Sequence, residues 1–546
     1  MKNIERIVVI LIFTVLTAVL SFIKSNQWIE GHFDTAISSQ LVESIAAGKG
    51  PYTQLETGWR LIVDRRIAML PAQKLCQEDT LSVANQTPSN FFTRWHSYFI
   101  VYLLAPLLHI INVNVLFAVI TVISYLAVIF LAYIFLRNNN ISIFSSILFC
   151  TLVTFHPSWS EGFFGGQMIY DRIFLLFGTL FIYLFTSKKI HKWWIIIVGC
   201  LSALIVERIG IYIGVFAIMY TLLFWKERIS SRRFGIITGA FFLAYSLLNI
   251  LFVNKNLDYG SFMPLNFSAL INNINFPGFT QKLGIFLIMN LGLLTLAIFT
   301  PKRLIIALGV LLPNIMGNIG GAEKTGWSIH YHVLYLPFLV WSAACGFVWL
   351  YQKASQEVLI SRLVETPRSK YWISNLITTR LNPLLSRVKI NKVMVLNILI
   401  IVLILLFGGL DPYSPSTSIN HLTYISQNAV IKLLKLIPNY WPEENLHKTH
   451  NIYEQLQKVI PEGSVVSSPE FAMPSLINNR TIWFFPLSID VADYVINPSG
   501  DFSYLNEDER ELIDDCLKSR MVKAGFDLEN PIRIGYVLVY QRNSPK

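Results

Sequence analysis

The sequence predicts a mainly α fold: a polytopic helical membrane domain over residues 1–410, followed by a small α/β domain over residues 411–546. Three observations carry that expectation. The 546 residues are 53% hydrophobic, 14% aromatic and only 14% charged, a composition foreign to soluble chains of this length. Apolar runs close to the roughly 20 residues needed to cross a bilayer recur from residue 4 to 410 and then cease. Charge divides at the same point, because residues 1–410 hold 32 Lys/Arg against 16 Asp/Glu, whereas 411–546 hold 12 against 17. The cations cluster between apolar runs, the pattern that sets membrane orientation, so no nucleic-acid partner is expected.

Orientation follows from parity. The first run, 4 to 24, is long for a signal peptide and no small-x-small site follows before Asn26, so it is read as a retained span. Basic clusters stand at Lys2/Arg6, Arg137, Lys188/Lys189/Lys192, Lys226/Arg228/Arg232/Arg233, Lys302/Arg303, and eight times between Lys353 and Lys392. If all face the cytoplasm, consecutive clusters must enclose an even number of crossings. The short run 97–111, interrupted by Pro106, is then an interfacial helix and not a span. The run 193–225, about 50 Å long as one helix, must go out and return, and its one polar point is Glu207-Arg208 beside Gly210. The run 141–185 divides at His156-Pro157, leaving 158–167 outside. About eleven spans result: 4–24, 113–136, 141–157, 168–187, 193–206, 209–225, 234–254, 281–299, 303–320, 332–350 and 393–410. The first extracytoplasmic loop is 25–112, and the basic segment 351–392 lies on cytoplasmic anionic lipid. The amino terminus is cytoplasmic and the C-terminal domain extracytoplasmic.

In that domain Tyr453, Leu456 and Ile460 share a helical face, and Ser464–Ser467, Thr481–Phe485, Tyr494–Ile496 and Gly535–Tyr540 read as strands, with a helix over Glu507–Val522. Alternating helices and strands favour a layered sheet, expected to pack over the mouth of the membrane cavity or to contact an acceptor. Cys150, Cys200 and Cys345 fall inside apolar spans, and only Cys76 and Cys516 can meet outside the membrane.

The same parity gathers Asp34, Arg94, His96, Glu161, Asp171, Arg172, Glu207, Arg208, Lys324, His330 and His332 on the outer side. Carboxylates and cations around a depression in the outer leaflet suit a lipid phosphate and a polar acceptor. A charged pair as deep as Glu207-Arg208 costs several kcal/mol unless it lines a wet cavity or is paired, and a purely structural ion pair is the alternative. Asp34-Thr35 precedes an amphipathic helix from about Ala36 to Ala47, so Asp34 reads either as its cap or as a reactive carboxylate. His330/His332 and His447/His450 lack convincing metal geometry, and Gly320–Thr325 is not a phosphate loop because Glu323 precedes the Lys.

Phe33-Asp34-Thr35-Ala36-Ile37 with Gln40 and Gly48, His96-Ser97 leading into Tyr102–Leu107, Glu207, Leu312-Pro313 with Asn318, and His330-Tyr331 with Pro337-Phe338-Leu339 carry a resemblance. So do Ile460-Pro461 with Ser464-Val465, Arg480 with Phe485-Pro486, and Ala492–Val495 in the tail. The chain resembles the bacterial membrane family catalogued as domain of unknown function 2079, whose pattern is similar to the GT-C membrane glycosyltransferases. Val206 and Ser475 depart from it, since that family often has Lys and His there.

The resemblance implies a GT-C-like membrane domain in a bacterial plasma (inner) membrane, and transfer of a sugar from a polyprenyl-phosphate donor to a glycan, lipid or protein acceptor on the extracytoplasmic face. It implies Asp34 as the essential first-loop acid, acting as base or as ligand of a divalent metal; no cofactor is certain. Asp171 or Glu161 is the second carboxylate. Arg172, Arg208, Arg94 and Lys324 are the cations for the leaving phosphate, with Glu207, His96, His330 and Tyr331 binding substrate. A flippase or transporter of a lipid-linked glycan, and a non-catalytic membrane protein that binds one, are the alternatives.

Overall fold

The computed structural model describes residues 3–27, 33–55, 89–94, 96–156, 169–187, 192–226, 232–254, 286–287, 290–316, 330–355, 392–407, 452–469, 472–477, 480–485, 487–496, 507–535 and 537–543. The fold is mostly helical, with a small C-terminal sheet. Helix α1 (Asn3–Gln27) lies against α3 (Val113–Asn138), and Phe13 meets Phe130 edge-on at 4.9 Å. At one end of this pair Arg137 grips Glu5 through Nε at 2.5 Å and Nη2 at 3.1 Å, while Tyr133 donates to the same carboxylate at 3.0 Å. The two helices are therefore antiparallel. Asn112 caps α3 by accepting the Val115 amide at 2.8 Å, and Asn140, at φ +62°, turns the chain into α4 (Ile143–Thr154).

Between α1 and α3 come α2 (Phe33–Ala46), a two-residue antiparallel pairing of β1 (Tyr52–Thr53) with β2 (Ser89–Asn90), and short turns over Val101–Leu104 and Ala105–His109. The run 97–111 is too broken to span, as its length and Pro106 suggest.

Beyond α4 lie α5 (Ile173–Thr186), α6 (Lys192–Ala203), α7 (Ile209–Leu223), α8 (Arg232–Leu248), α9 (Pro301–Met316), α10 (Leu336–Ser355) and α11 (Lys392–Phe407). Their ends sort by charge. Asn138 donates to the Tyr183 hydroxyl, Lys192 lies over Phe234, Arg232 over Trp225, and Lys302 and Arg303 over Phe224. Four of the basic clusters thus converge on one end of the bundle. The turns holding Asp171, Glu207 and Asn254 lie at the opposite ends of these same helices.

Among the described residues, three helices are long and apolar enough to cross a membrane: Ile4–Ser25, Val113–Asn138 and Arg232–Val253. Ile143–Thr154, Lys192–Ala203, Ile209–Leu223 and Lys392–Ile404 are apolar but shorter. The shortfall against the predicted spans has local causes. Helix α5 starts only at Ile173 because Tyr170–Arg172 forms a 3₁₀ turn, and α6 and α7 stop at the Glu207-Arg208 turn. Large apolar side chains along α1, α8 and α11 are exposed, including Ile7, Phe22, Phe241, Phe252 and Met394, as lipid-facing positions would be.

Helices α7 and α8 form a close hairpin through facing small residues. Gly214 and Gly239 each approach the other's carbonyl oxygen so that an added Cβ would lie 2.8 Å from it; Gly210 faces Phe242 and Ser246, and Gly235 faces Thr221. Two Gly-x-x-x-Gly spacings thus bring the backbones together.

The tail places a helix over 452–459 and the short turn Met473–Leu476 on one face of a five-stranded sheet, and α13 (Glu507–Lys523; α12 denotes Met473–Leu476) on the other. The strand order is β4 (Thr481–Phe484), β3 (Val465–Ser468), β5 (Tyr494–Ile496), β7 (Val537–Gln541), β6 (Ile532–Ile534). The first three are parallel, and β7 is antiparallel to both neighbours. Side chains alternate as a pleat requires: Val495 and Tyr540 face Leu517 and Met521 of α13, whereas Ile496 and Val539 join the core that also holds Tyr453 and Leu456. Strand β6 is an addition to the sequence expectation; Gly535, at φ +60°, opens its two-residue connection to β7. Helix α12 packs against α2, so one apolar core runs from the bundle through α2 into the tail. Cys516 is disulfide-bonded, while Cys150, Cys200 and Cys345 are free; Cys76 lies outside the described residues.

Gly239→Leu is expected to force α7 and α8 apart and to destabilise the protein by at least about 2 kcal/mol, read as a lowered melting temperature in detergent. An unchanged melt would contradict the backbone approach at Gly214.

Candidate functional site

The five-residue turn 204–208 between α6 and α7 supplies both charges that the sequence singles out there. The Glu207 carboxylate is fully buried, accepts from the Ser97 amide at 3.0 Å, and has His96 Nδ1 at 2.8 Å and Ser97 Oγ at 3.4 Å, the hydroxyl proton being shared with Asn254. Such a set compensates the desolvation of a buried anion. The Ile100 amide, donating to the Leu204 carbonyl at 2.7 Å, ties the same loop to the turn a second time. On the other side of Ser97 stands Asn254, with Oδ1 at 3.3 Å from Ser97 Oγ and Nδ2 donating to the Phe92 carbonyl at 2.8 Å. Asn254 follows a π-helical turn, Asn249–Val253, that ends the α8 rod at this level.

Arg208 points away from Glu207. Its Nη2 donates to Asp171 Oδ2 at 2.6 Å, with Asp171 fully buried. Asp171 lies in the 3₁₀ turn Tyr170–Arg172, whose other ends are also fastened. The Tyr170 hydroxyl donates to the Ser38 carbonyl of α2 at 2.5 Å, and the turn packs against a second 3₁₀ turn, His330–Leu334, in which His332 Nε2 is 2.8 Å from the Tyr125 hydroxyl. Arg172 is 1% exposed, among the largest fully buried side chains. A file of rings joins the two charge pairs: His96 to Tyr98 at 5.5 Å, Tyr98 to Tyr170 at 5.1 Å, and Tyr170 to Phe117 at 5.7 Å.

The structure therefore brings His96, Asp171, Arg172, Glu207 and Arg208 into one region at the end of the bundle away from the basic clusters. Asp34 lies in the first turn of α2, which begins at Phe33. Its side chain is outside the described residues, as are those of Arg94, His330 and Tyr331, although their backbones begin or end short helical turns. Glu161 and Lys324 lie outside the described residues altogether. The described charged side chains are packed inside rather than lining an open depression. An open groove lies elsewhere, between α3, α5 and α10, and is apolar, lined by Leu131, Phe135, Ile182, Val340 and Trp341 among others. Among the described residues no three His, Cys, Asp or Glu side chains converge as metal ligands.

Sequence reasoning did not single out Asn254, Tyr170, Tyr125 or Glu43. For Asn254 no signal exists beyond a lone amide after an apolar run. Glu43 is a half-buried residue of α2, and burial pushes its carboxyl from an ordinary 4.5 up to about 7. Below about pH 4.5 both folded and unfolded chains hold this proton; between about 4.5 and 7 only the folded chain does, so stability falls as pH rises through that window and levels off above it. Glu43→Gln is expected to leave stability unchanged near pH 4 and to raise it at pH 8 by roughly 1–2 kcal/mol, allowing for partial solvent screening. Thermal melts at the two pH values test this, and an equal change at both would exclude a buried neutral Glu43.

No protein-family model matches this chain, and no curated protein matches it.

Proposed function

We propose that this chain is a membrane glycosyltransferase that moves a sugar from a polyprenyl-phosphate donor to an acceptor on the extracytoplasmic face. The observation that carries the reading is the bond from the Tyr170 hydroxyl to the Ser38 carbonyl. Ser38 is one helical turn from Asp34, so this bond holds the first-loop helix against the segment bearing Asp171 and Arg172. Such a transfer needs a carboxylate for the acceptor proton and a cation for the leaving phosphate, and Asp34 and Arg172 are the residues assigned to them in this reading. The acceptor oxygen attacks the anomeric carbon as its proton passes to Asp34, the bond from that carbon to the phosphate oxygen breaks, and polyprenyl phosphate leaves with the electron pair.

In this reading Arg172 faces the departing phosphate, and Arg208, bonded to Asp171, holds that carboxylate in place. Glu161, Arg94, Lys324, His330 and Tyr331 complete the donor and acceptor contacts, and a divalent metal on Asp34 is the alternative to direct base catalysis. The membrane domain crosses about eleven times, with a cytoplasmic amino terminus and an extracytoplasmic tail. Convergence of the basic clusters on one end of the bundle supports that orientation. The disulfide at Cys516 supports an oxidising compartment for the tail.

Purified protein supplied with a labelled polyprenyl-phosphate sugar and membrane extract is expected to release polyprenyl phosphate, and Asp34→Asn to slow that release by about 10²-fold or more. Equal turnover by Asp34→Asn would overturn the assignment and favour a flippase or a binding protein. In intact spheroplasts, a membrane-impermeant maleimide should label Cys516 after reduction and not before; labelling that requires permeabilised membranes would reverse the orientation.

A further inference from the structure

His96 and Glu207 form a closer chemical unit than substrate binding requires. Glu207 is fully buried, and the consecutive residues His96 and Ser97 both bond it, which leaves the carboxylate little freedom to turn toward a ligand. His96 is its partner at 2.8 Å, and the imidazole retains 19% exposure where the carboxylate has none. A carboxylate on Nδ1 orients the ring and sets Nδ1 as its donor nitrogen. Further packing fixes the ring plane: Tyr98 lies 5.5 Å away, and Asn254 holds Ser97 from behind while bonding the Phe92 carbonyl. Arg208, next in the chain, faces the opposite way to Asp171, so the acid–imidazole pair and the guanidinium–acid pair diverge from one turn.

We propose that His96 is a proton-transfer residue of this site and that Glu207 is its positioning carboxylate. The inference rests on the transferase reading and assigns the acid that reading leaves unnamed. As the anomeric carbon–oxygen bond breaks, its electron pair goes to the phosphate oxygen, and His96 Nε2 gives that oxygen a proton. The acceptor's own proton goes to Asp34 and returns through water to His96 after release, so the site is restored and no oxidant or further reactant is consumed. Glu207 does not touch the substrate; it holds the Nδ1 proton and orients the ring.

The test uses the full-length protein in detergent or nanodiscs with the polyprenyl-phosphate sugar assay. Glu207→Gln is expected to lower kcat about 10²-fold while leaving the donor KM within about twofold, and His96→Gly to lose a similar factor that added imidazole restores at least about tenfold. Gel filtration and helical circular dichroism identify folded variants, and His96→Asn replaces His96→Gly if the glycine variant does not fold. With ¹⁵N-histidine labelling, the native protein is expected to show a low-field Nδ1 proton that disappears in both His96→Asn and Glu207→Gln. Turnover by a folded His96 variant within about threefold of native, or a kcat for Glu207→Gln equal to native, would overturn the proposal. If native protein releases no polyprenyl phosphate, the transferase reading fails on its own. The resonance then decides the pair, and its absence from native protein overturns the positioning role as well.

Discussion

Charge buried inside an apolar bundle must be matched by an opposite charge or by enough donors, and that requirement organises the end of this bundle away from the basic clusters. Moving an ion out of water costs several kcal/mol even after relaxation, and removing one member of a buried pair costs about 3–5 kcal/mol. Arg208 with Asp171 at 2.6 Å, and Glu207 with His96 at 2.8 Å, meet the requirement from a single turn. The irregular backbone nearby follows from it. The 3₁₀ turn at Tyr170–Arg172 delays α5 so that Asp171 reaches Arg208, and the π-turn at Asn249–Val253 sets Asn254 against Ser97. Helices that would otherwise cross as plain rods are shortened where the polar groups meet.

The first loop and the tail are continuous with that region. Helix α2 accepts the Tyr170 bond on one side and packs against α12 on the other, and both contacts belong to the same buried core. The tail sheet is therefore coupled to the segment that bears Asp171 through a single helix of 14 residues. Glu43 lies on this helix, and its elevated carboxyl makes the stability of the folded chain depend on pH.

Much of the architecture was legible because it follows from local pattern. Apolar runs bounded by basic clusters located the helices, Pro106 and a short length ruled out a span over 97–111, and a charged dipeptide inside 193–225 marked the turn that Glu207 and Arg208 occupy. Four of the five tail strands were readable from β-branched and aromatic residues; β6 was overlooked although Gly535 marked its connection. Pairing was not legible. Glu207 meets His96 from 111 residues away and Arg208 meets Asp171 from 37, and no periodicity encodes which buried charge finds which. Nor does a sequence pattern announce a π-turn, so Asn254 carries no signal, whereas the small-residue spacing of α7 and α8 is a pattern the sequence does contain.

That glycine-lined contact determines which parts of this end of the bundle can shift. With backbones touching at Gly214 and Gly239, α7 and α8 slide past one another only by breaking many contacts together, so they behave as one strut. Arg208 heads the first arm and Asn254 ends the second. The backbone beneath His96 and Ser97 is thus braced by this helix pair, and a shift of one arm carries the other with it.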